Sequence, residues 1–121
     1  MAEFVLVHGA WHGGWCWRYV VEGLRAAGHR VFTPTLTGQG ERLHLLTAET
    51  DLVTHVADVL AVLETEELSD VILVGHSYGA RPTVLATGHP AVRQWVSLDG
   101  VAVIEGHSLL HGLPDTALAA A

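Results

Sequence analysis

Residues 71–80 read VILVGHSYGA, and this stretch constrains the fold of the chain more than any other. Four apolar residues, typical of a buried strand, run directly into a Gly-x-Ser-x-Gly motif, and a helix-like segment follows. A serine on a sharp strand-to-helix turn needs small residues two positions before and after it, because strand and helix nearly touch there. Gly75 and Gly79 meet that need. The stretch therefore predicts a nucleophilic Ser77, against the alternative of a serine in an ordinary turn.

The helix after this motif favours the same chemistry. Its first N–H groups have no partner within the helix, and its dipole favours negative charge at that end. Both properties stabilise the oxyanion that forms when a serine attacks an acyl carbon. We expect the N–H of Tyr78 to be one of the donors.

Four apolar runs and three helix-length segments alternate along the chain. Each run ends at Gly, Pro or Asp and is apolar throughout, which is typical of strands covered on both faces. This alternation predicts one α/β domain over residues 1–121, a three-layer sandwich with a short parallel sheet of about four strands. The predicted strands cover 4–7, 30–34, 71–75 and 95–100, and the predicted helices cover 16–27, 51–66 and 78–88. In the second helix, Val53, Val56, Leu60 and Leu63 are spaced to share one face.

Composition excludes several classes of partner. The chain is 50% hydrophobic with a net charge of −7, which argues for a folded core and against binding to nucleic acid or anionic lipid. The single cysteine, Cys16, forms no internal disulfide, which fits a reducing compartment. The N-terminus does not resemble a signal peptide, and no apolar run approaches the roughly 20 residues of a membrane helix. We therefore expect a soluble cytoplasmic protein.

A glycine-rich turn, HGAWHGGW at 8–15, follows the first strand. Its glycines miss the Gly-x-Gly-x-x-Gly spacing of dinucleotide sites, no acidic residue ends the second strand, and no lysine offers a phosphate-binding loop. We therefore expect no cofactor. The nine histidines include no pair with ligand spacing on a recognisable element, so we expect no metal either. His8 is expected to pack and hydrogen-bond beneath the turn.

Four stretches together resemble one family: FVLVHGAWHGGWCW, LRAAGHRVFTPTLTGQGER, LSDVILVGHSYGA and VSLDG. The chain resembles the N-terminal half of an α/β-hydrolase, in the branch of plant methylesterases, hydroxynitrile lyases and bacterial esterases. The resemblance implies that the N–H of Ala10 is the second oxyanion donor and that Trp11 lies beside the substrate. We expect Gly9 and His76, which flank the same site, to bind the substrate as well. The lyases of this branch typically have Thr at the place of Gly9 and use a lysine that is absent here, which favours ester hydrolysis.

The sequence departs from the family just after the motif, where Ala80 replaces a glycine and Arg81 and Pro82 follow. Pro82 lacks an N–H, so we expect it to disturb the first turn of the third helix.

The acid and base that would serve Ser77 are less clear. Family members are longer, and their acid and histidine come later in the chain than this sequence reaches. Within this chain Asp99 is the candidate acid, with a simple turn residue as the alternative reading. His107 is the candidate base, and His111 or a histidine from a partner chain are alternatives.

Two functions remain open on these grounds. The first is a carboxylesterase-like serine hydrolase acting on small esters. The second is a catalytically impaired hydrolase half that binds a small ligand or another subunit. In either case the fourth strand would leave an exposed apolar sheet edge, which predicts a homodimer or larger assembly.

Overall fold

The computed structural model describes residues 1–100, and these residues alternate strands and helices. The four strands are β1 (Glu3–Val7), β2 (Arg30–Phe32), β3 (Val71–His76) and β4 (Val92–Leu98). The three α-helices are α1 (Arg18–Ala26), α2 (Leu52–Thr65) and α3 (Ala80–Leu85), and 3-10 turns span Gly14–Trp17, Gly40–Leu45 and Ser77–Gly79. The candidate base, His107, and its alternative, His111, lie outside the described residues.

The sheet has the order β2-β1-β3-β4, and every pairing in it is parallel. The central pair is β1 and β3, in a register that sets Val7 opposite Gly75. The loops that leave the carboxyl ends of these two strands are therefore neighbours. The expected parallel α/β sheet of four strands is confirmed.

Helices cover both faces of this sheet, so the fold has three layers. Alternate residues of each strand point to opposite faces. Val5 and Leu73 pack in one core with Val59 and Leu63 of α2. Leu6 and Val74 pack in the other core, which Trp17 shares with residues of α1. Burial on both faces explains why β1 and β3 are apolar along most of their length, whereas the edge strand β4 is mostly exposed and carries Arg93, Gln94 and Ser97.

The buried face of α2 differs from the sequence prediction. Its buried residues are His55, Val59 and Leu63, whereas Val53 is 74% exposed. The helix begins with a capping box in which Asp51 accepts from the Thr54 N–H. The predicted face was wrong for Val53 because apolar spacing alone did not reveal that a histidine occupies a buried position.

Pro82 does not disrupt α3, contrary to expectation. It lies in the first helical turn, where N–H groups have no acceptor within the helix, so its missing N–H breaks no helical bond. Its side chain is fully buried. The Thr83 hydroxyl donates to the Gly79 carbonyl at 2.7 Å and ties the helix to the turn before it. The helix ends at Leu85, earlier than predicted.

Strand β4 lies at one edge of the sheet and, within residues 1–100, pairs only with β3. Trp95 and Leu98 are 36% and 43% exposed, so this edge carries apolar side chains. Within the same residues, no helix has the length and apolar character that crossing a bilayer requires.

Candidate active site

Ser77 lies at the turn between β3 and α3 in a left-handed backbone conformation, with φ of 53°. Residues other than glycine enter this region at a cost of about 1–2 kcal/mol. Strain of this kind is concentrated at functional sites, where the surrounding structure holds it in place. The backbone at Ser77 therefore has the geometry of a nucleophile elbow.

The two glycines of the motif are required by close packing. A Cβ at Gly79 would lie 2.5 Å from the Val7 carbonyl oxygen and 2.7 Å from that of His8. A Cβ at Gly75 would collide with the Thr83 hydroxyl and lie 2.5 Å from the Gly79 carbonyl oxygen. Most of these neighbours are main-chain atoms, which cannot move aside cheaply. The structure confirms the reason that the sequence suggested for both glycines.

The glycine-rich turn after β1 lies directly against the elbow. A Cβ at Gly9 would be 3.2 Å from the Cβ of Ser77 and 3.3 Å from Nδ1 of His76. Any side chain at position 9 would therefore crowd the serine. The structure brings Gly9, His76, Ser77 and Tyr78 together at the carboxyl ends of β1 and β3, where parallel sheets bind ligands.

Trp11 holds a second left-handed conformation in this turn, with φ of 61°, and its side chain is 74% exposed. A bulky residue with positive φ is rare, so the turn is strained in the same way as the elbow. Two strained residues thus occur on the loops that follow the two central strands. Their shared location supports the assignment of this region as the site.

His8, at the start of the turn, is fully buried and has both ring nitrogens engaged. Its Nε2 accepts the Leu36 N–H at 3.0 Å, so Nδ1 carries the proton and donates to the Gly9 carbonyl at 2.7 Å. Burial lowers the pKa of His8 and keeps the ring neutral. His8 therefore fixes the glycine turn, in the packing role expected for it, and has no free nitrogen to act as a base.

A further histidine, His55 of α2, contacts the elbow, and the sequence analysis did not single it out. Its Nε2 lies 2.9 Å from the Thr37 carbonyl oxygen, which only accepts, so Nε2 donates there. In the neutral ring, Nδ1 then accepts the Tyr78 hydroxyl at 2.7 Å. Burial raises the pKa of Tyr78 to about 12, so its phenol stays neutral and able to donate.

Asp58 extends this chain of hydrogen bonds. Its carboxylate accepts both the Thr37 N–H at 2.6 Å and the Thr37 hydroxyl at 2.7 Å. The loop after β2 is therefore tied to α2 and, through His55, to Tyr78 beside Ser77. The sequence signal that could have identified His55 is its spacing, four residues before Val59 and eight before Leu63. This spacing places His55 on the face of α2 that packs against the sheet.

The same loop is joined to the glycine-rich turn. The Gly14 N–H donates to the Thr35 hydroxyl at 2.8 Å, and that hydroxyl donates to Glu41 at 2.7 Å. The hydrogen bond from Thr35 lowers the pKa of Glu41. The carboxylate therefore stays ionised and holds the loop after β2 against the turn.

A cavity of about 320 Å³ lies beside this assembly. It is bounded by the glycine-rich turn, the loop after β2 and the start of α2. Its lining consists of Ala10, Trp11, Thr37, Gly38, Gln39, Leu43, Leu46, Thr50 and His55. A larger cavity of about 530 Å³ lies along β2 and α2, but its lining includes no residue of the elbow or the glycine-rich turn. The smaller cavity is therefore the candidate ligand site.

The candidate acid, Asp99, follows β4 and is exposed, with φ of 47°. Because β4 pairs with β3, Asp99 and Ser77 lie at the same edge of the sheet, after neighbouring strands. The positive φ also suits a turn residue, so a catalytic acid and a simple turn residue both remain hypotheses for Asp99. Among residues 1–100, no three His, Cys, Asp or Glu side chains form a group that could hold a metal ion.

Comparison with known proteins identifies relatives that match most of this chain. A profile of the alpha/beta hydrolase family matches residues 4–121. The chain is 54% identical over 119 residues to a carbendazim hydrolyzing esterase of Nocardioides sp. (strain SG-4G), covering 94% of this chain and 48% of that esterase. It is 40% identical over 87 residues to methylesterase 9 of Arabidopsis thaliana, covering 71% of this chain and 34% of that protein.

A solved structure agrees with these matches. An extracellular alpha/beta-hydrolase from a Paenibacillus species superposes with a TM-score of 0.86 at 27% identity, covering 99% of this chain and 49% of that one. The chain therefore spans about half the length of this hydrolase and of the Nocardioides esterase.

Proposed function

Because this chain belongs to the alpha/beta hydrolase family, as the sequence resemblance implied, we propose that it acts as a carboxylesterase-like serine hydrolase on small esters. The observation that carries the proposal is the strained Ser77 at the turn from β3 to α3, with Gly9 of the neighbouring turn packed against it. The similarity to an esterase and to a methylesterase supports the same reaction class.

In this mechanism the Ser77 hydroxyl attacks the acyl carbon of the ester. A histidine takes the serine proton, and the N–H groups of Ala10 and Tyr78 donate to the oxyanion. The alcohol leaves with that proton, and an acyl-serine remains. Water then attacks the acyl-serine and gives a proton to the same histidine. The histidine passes this proton to the departing Ser77 oxygen as the acid is released. We assign the base to His107, with His111 or a partner chain's histidine as alternatives, and the orienting acid to Asp99.

The experiment compares turnover of p-nitrophenyl acetate by the purified protein and by Ser77→Ala, with Ser69→Ala as the matched control outside the site. We expect Ser77→Ala alone to lose turnover. Equal background rates for the wild type and Ser77→Ala would refute the proposal. Where the wild type turns over, His107→Ala and His111→Ala identify the base, and an inflection of the pH–rate profile at about pH 6.5 indicates a histidine.

A second candidate function is a catalytically impaired hydrolase that binds a small ligand. The observation that favours it is that His8 and His55, which contact the turn and the elbow, both have their two ring nitrogens engaged elsewhere. Saturable binding of the ester without turnover above Ser77→Ala would support this function over the first.

We also propose that the protein works in the cytoplasm as a homodimer that pairs along β4. The edge position of β4, its exposed Trp95 and Leu98, and the single Cys16 support these assignments. Light scattering at micromolar concentration tests the dimer, and a monomeric mass would refute it. Cell fractionation tests the location.

A further inference from the structure

The side chain of Tyr78 is held by a buried ring that the proposed mechanism does not use. His55 on α2 is 6% exposed, and its ring lies edge-to-face against the Tyr78 ring, with the two centroids 5.5 Å apart. Its Nδ1 accepts the Tyr78 hydroxyl at 2.7 Å. Tyr78 directly follows the strained Ser77, so this contact reaches the elbow residue whose N–H is the proposed oxyanion donor.

The orientation of the His55 ring is fixed from its other side. Nε2 donates to the Thr37 carbonyl at 2.9 Å, which leaves Nδ1 of the neutral ring as the acceptor that the Tyr78 hydroxyl needs. Thr37 is itself held by Asp58, three residues after His55 on the same helix, through its N–H at 2.6 Å and its hydroxyl at 2.7 Å. The ring therefore cannot turn without breaking a hydrogen bond.

The loop after β2 also connects the two segments that carry the proposed oxyanion donors. The hydroxyl of Thr35 in this loop accepts the Gly14 N–H of the glycine-rich turn at 2.8 Å. The turn that carries Ala10 is thus joined to the loop on one side, and Tyr78 is joined to it through His55 on the other. Because an oxyanion needs its donors within about 2.7–3.1 Å, the two N–H groups must be held relative to each other.

Packing alone does not call for a histidine at this position. The same buried face of α2 carries Val59 and Leu63, which fill the core without polar atoms. A polar group in such a place is costly unless its hydrogen bonds are made, and those of His55 lead to the loop and to the elbow. The position is therefore suited to orienting Tyr78.

We propose that His55 is a positioning residue for ester hydrolysis, which holds the Tyr78 hydroxyl so that the Tyr78 N–H is aligned with the Ala10 N–H at the oxyanion. The effect on turnover rests on the proposed hydrolase function, whereas the restraint on Tyr78 does not. Because alignment of an oxyanion donor matters most in the transition state, losing it should lower kcat and leave KM unchanged. His55 also lines the cavity of about 320 Å³, so a change of cavity shape alone would instead raise KM.

Three substitutions separate the two hydrogen bonds of His55. In His55→Asn, the side-chain oxygen lies near the place of Nδ1 and can still accept the Tyr78 hydroxyl. In His55→Gln, the longer side chain places its NH₂ near the position of Nε2, where it can still donate to Thr37, but no acceptor remains for Tyr78. Tyr78→Phe removes the hydroxyl alone. The matched control is Val53→Ala, on the same helix and 74% exposed.

With p-nitrophenyl acetate, we expect kcat to fall about 10-fold in His55→Gln and in Tyr78→Phe, because a misaligned oxyanion donor costs less than the about 10²–10³-fold of a removed one. KM should stay within about 2-fold of the wild-type value. His55→Asn should keep most of kcat, and Val53→Ala should keep all of it. Combining His55→Gln with Tyr78→Phe should lower kcat no further than either change alone, because both remove the same interaction.

A second measurement does not depend on turnover. The ¹⁵N order parameter of the Tyr78 amide should fall below the value of about 0.85 that is typical of rigid backbone in His55→Gln, and stay near it in His55→Asn. Unchanged kcat or an unchanged order parameter in His55→Gln, an equal loss in His55→Asn, or an effect on KM alone would overturn the proposal. Tyr78→Phe decides the kinetic outcome if His55→Gln fails to fold. If the wild type does not exceed Ser77→Ala, the hydrolase function fails, and the order parameters still decide whether His55 restrains Tyr78.

Discussion

Replacing Ser77 by alanine and by glycine should separate the strain of the elbow from the chemistry of its hydroxyl. Both variants lack the hydroxyl, but only alanine keeps a Cβ in the left-handed conformation at φ of 53°. That conformation costs about 1–2 kcal/mol for a residue with a Cβ, whereas glycine enters it freely. Glycine also gains freedom in the unfolded chain, which offsets about 0.4–1 kcal/mol. Ser77→Gly should therefore be more stable than Ser77→Ala by about 1 kcal/mol.

Urea denaturation, monitored by circular dichroism, measures this difference in unfolding free energy. Thermal melting should show a Tm that is about 4 °C higher for the glycine variant. The matched control is Glu67, which has the same φ of 53° and lies exposed after α2, away from the site. Glu67→Gly should exceed Glu67→Ala by a similar amount. If the Glu67 pair shows the difference and the Ser77 pair does not, the elbow is not strained and the reasoning fails.

Three further outcomes follow from the same structure. Gly79→Ala should destabilise the fold by about 1–3 kcal/mol, because its Cβ would lie 2.5 Å from a main-chain oxygen of β1. The control Gly23→Ala on α1 should be stabilising, because a Cβ there meets nothing within 4 Å. Equal unfolding free energies for the two variants would contradict this. Tyr78→Phe should cost about 1–3 kcal/mol in urea unfolding, since it leaves Nδ1 of His55 buried without a donor, and unchanged stability would argue against that hydrogen bond. The pKa of His8 is lowered in the folded protein, so below about pH 6.5 the unfolded chain binds a proton that the folded chain does not. The unfolding free energy should therefore fall as the pH is lowered from about 6.5 to about 5.5. An unfolding free energy that stays constant over this range would count against a buried, neutral His8 ring.

The elbow could be predicted from sequence because its constraints are local. Gly75 and Gly79 are demanded by atoms within a few positions and by the neighbouring strand β1, and the apolar run before Ser77 identifies that strand. Strand–helix alternation was likewise enough to predict a parallel sheet. Pro82 was misjudged because its effect depends on its distance from the helix start, and α3 begins at Ala80 rather than at the earlier residue assumed.

His55 could not be assigned from sequence because its partners are distant along the chain. Tyr78 lies 23 positions away and Thr37 lies 18 positions away, so only the packing of α2 against the elbow brings the three together. Apolar periodicity counts hydrophobic residues and therefore treats a histidine as a surface residue.

The hydrogen bonds of His8 and His55 hold the shape of the site, whereas the proposed base is a different histidine. His8 fixes the glycine-rich turn, and the chain from Asp58 through His55 fixes Tyr78, all within residues 1–100. Neither histidine has a free nitrogen, so both are positioning residues in this arrangement. The proposed oxyanion donors are then held in place whichever histidine acts as base. It follows that replacing the base should lower the rate of acyl transfer, whereas Tyr78→Phe should lower the unfolding free energy, because it removes the donor to Nδ1 of His55.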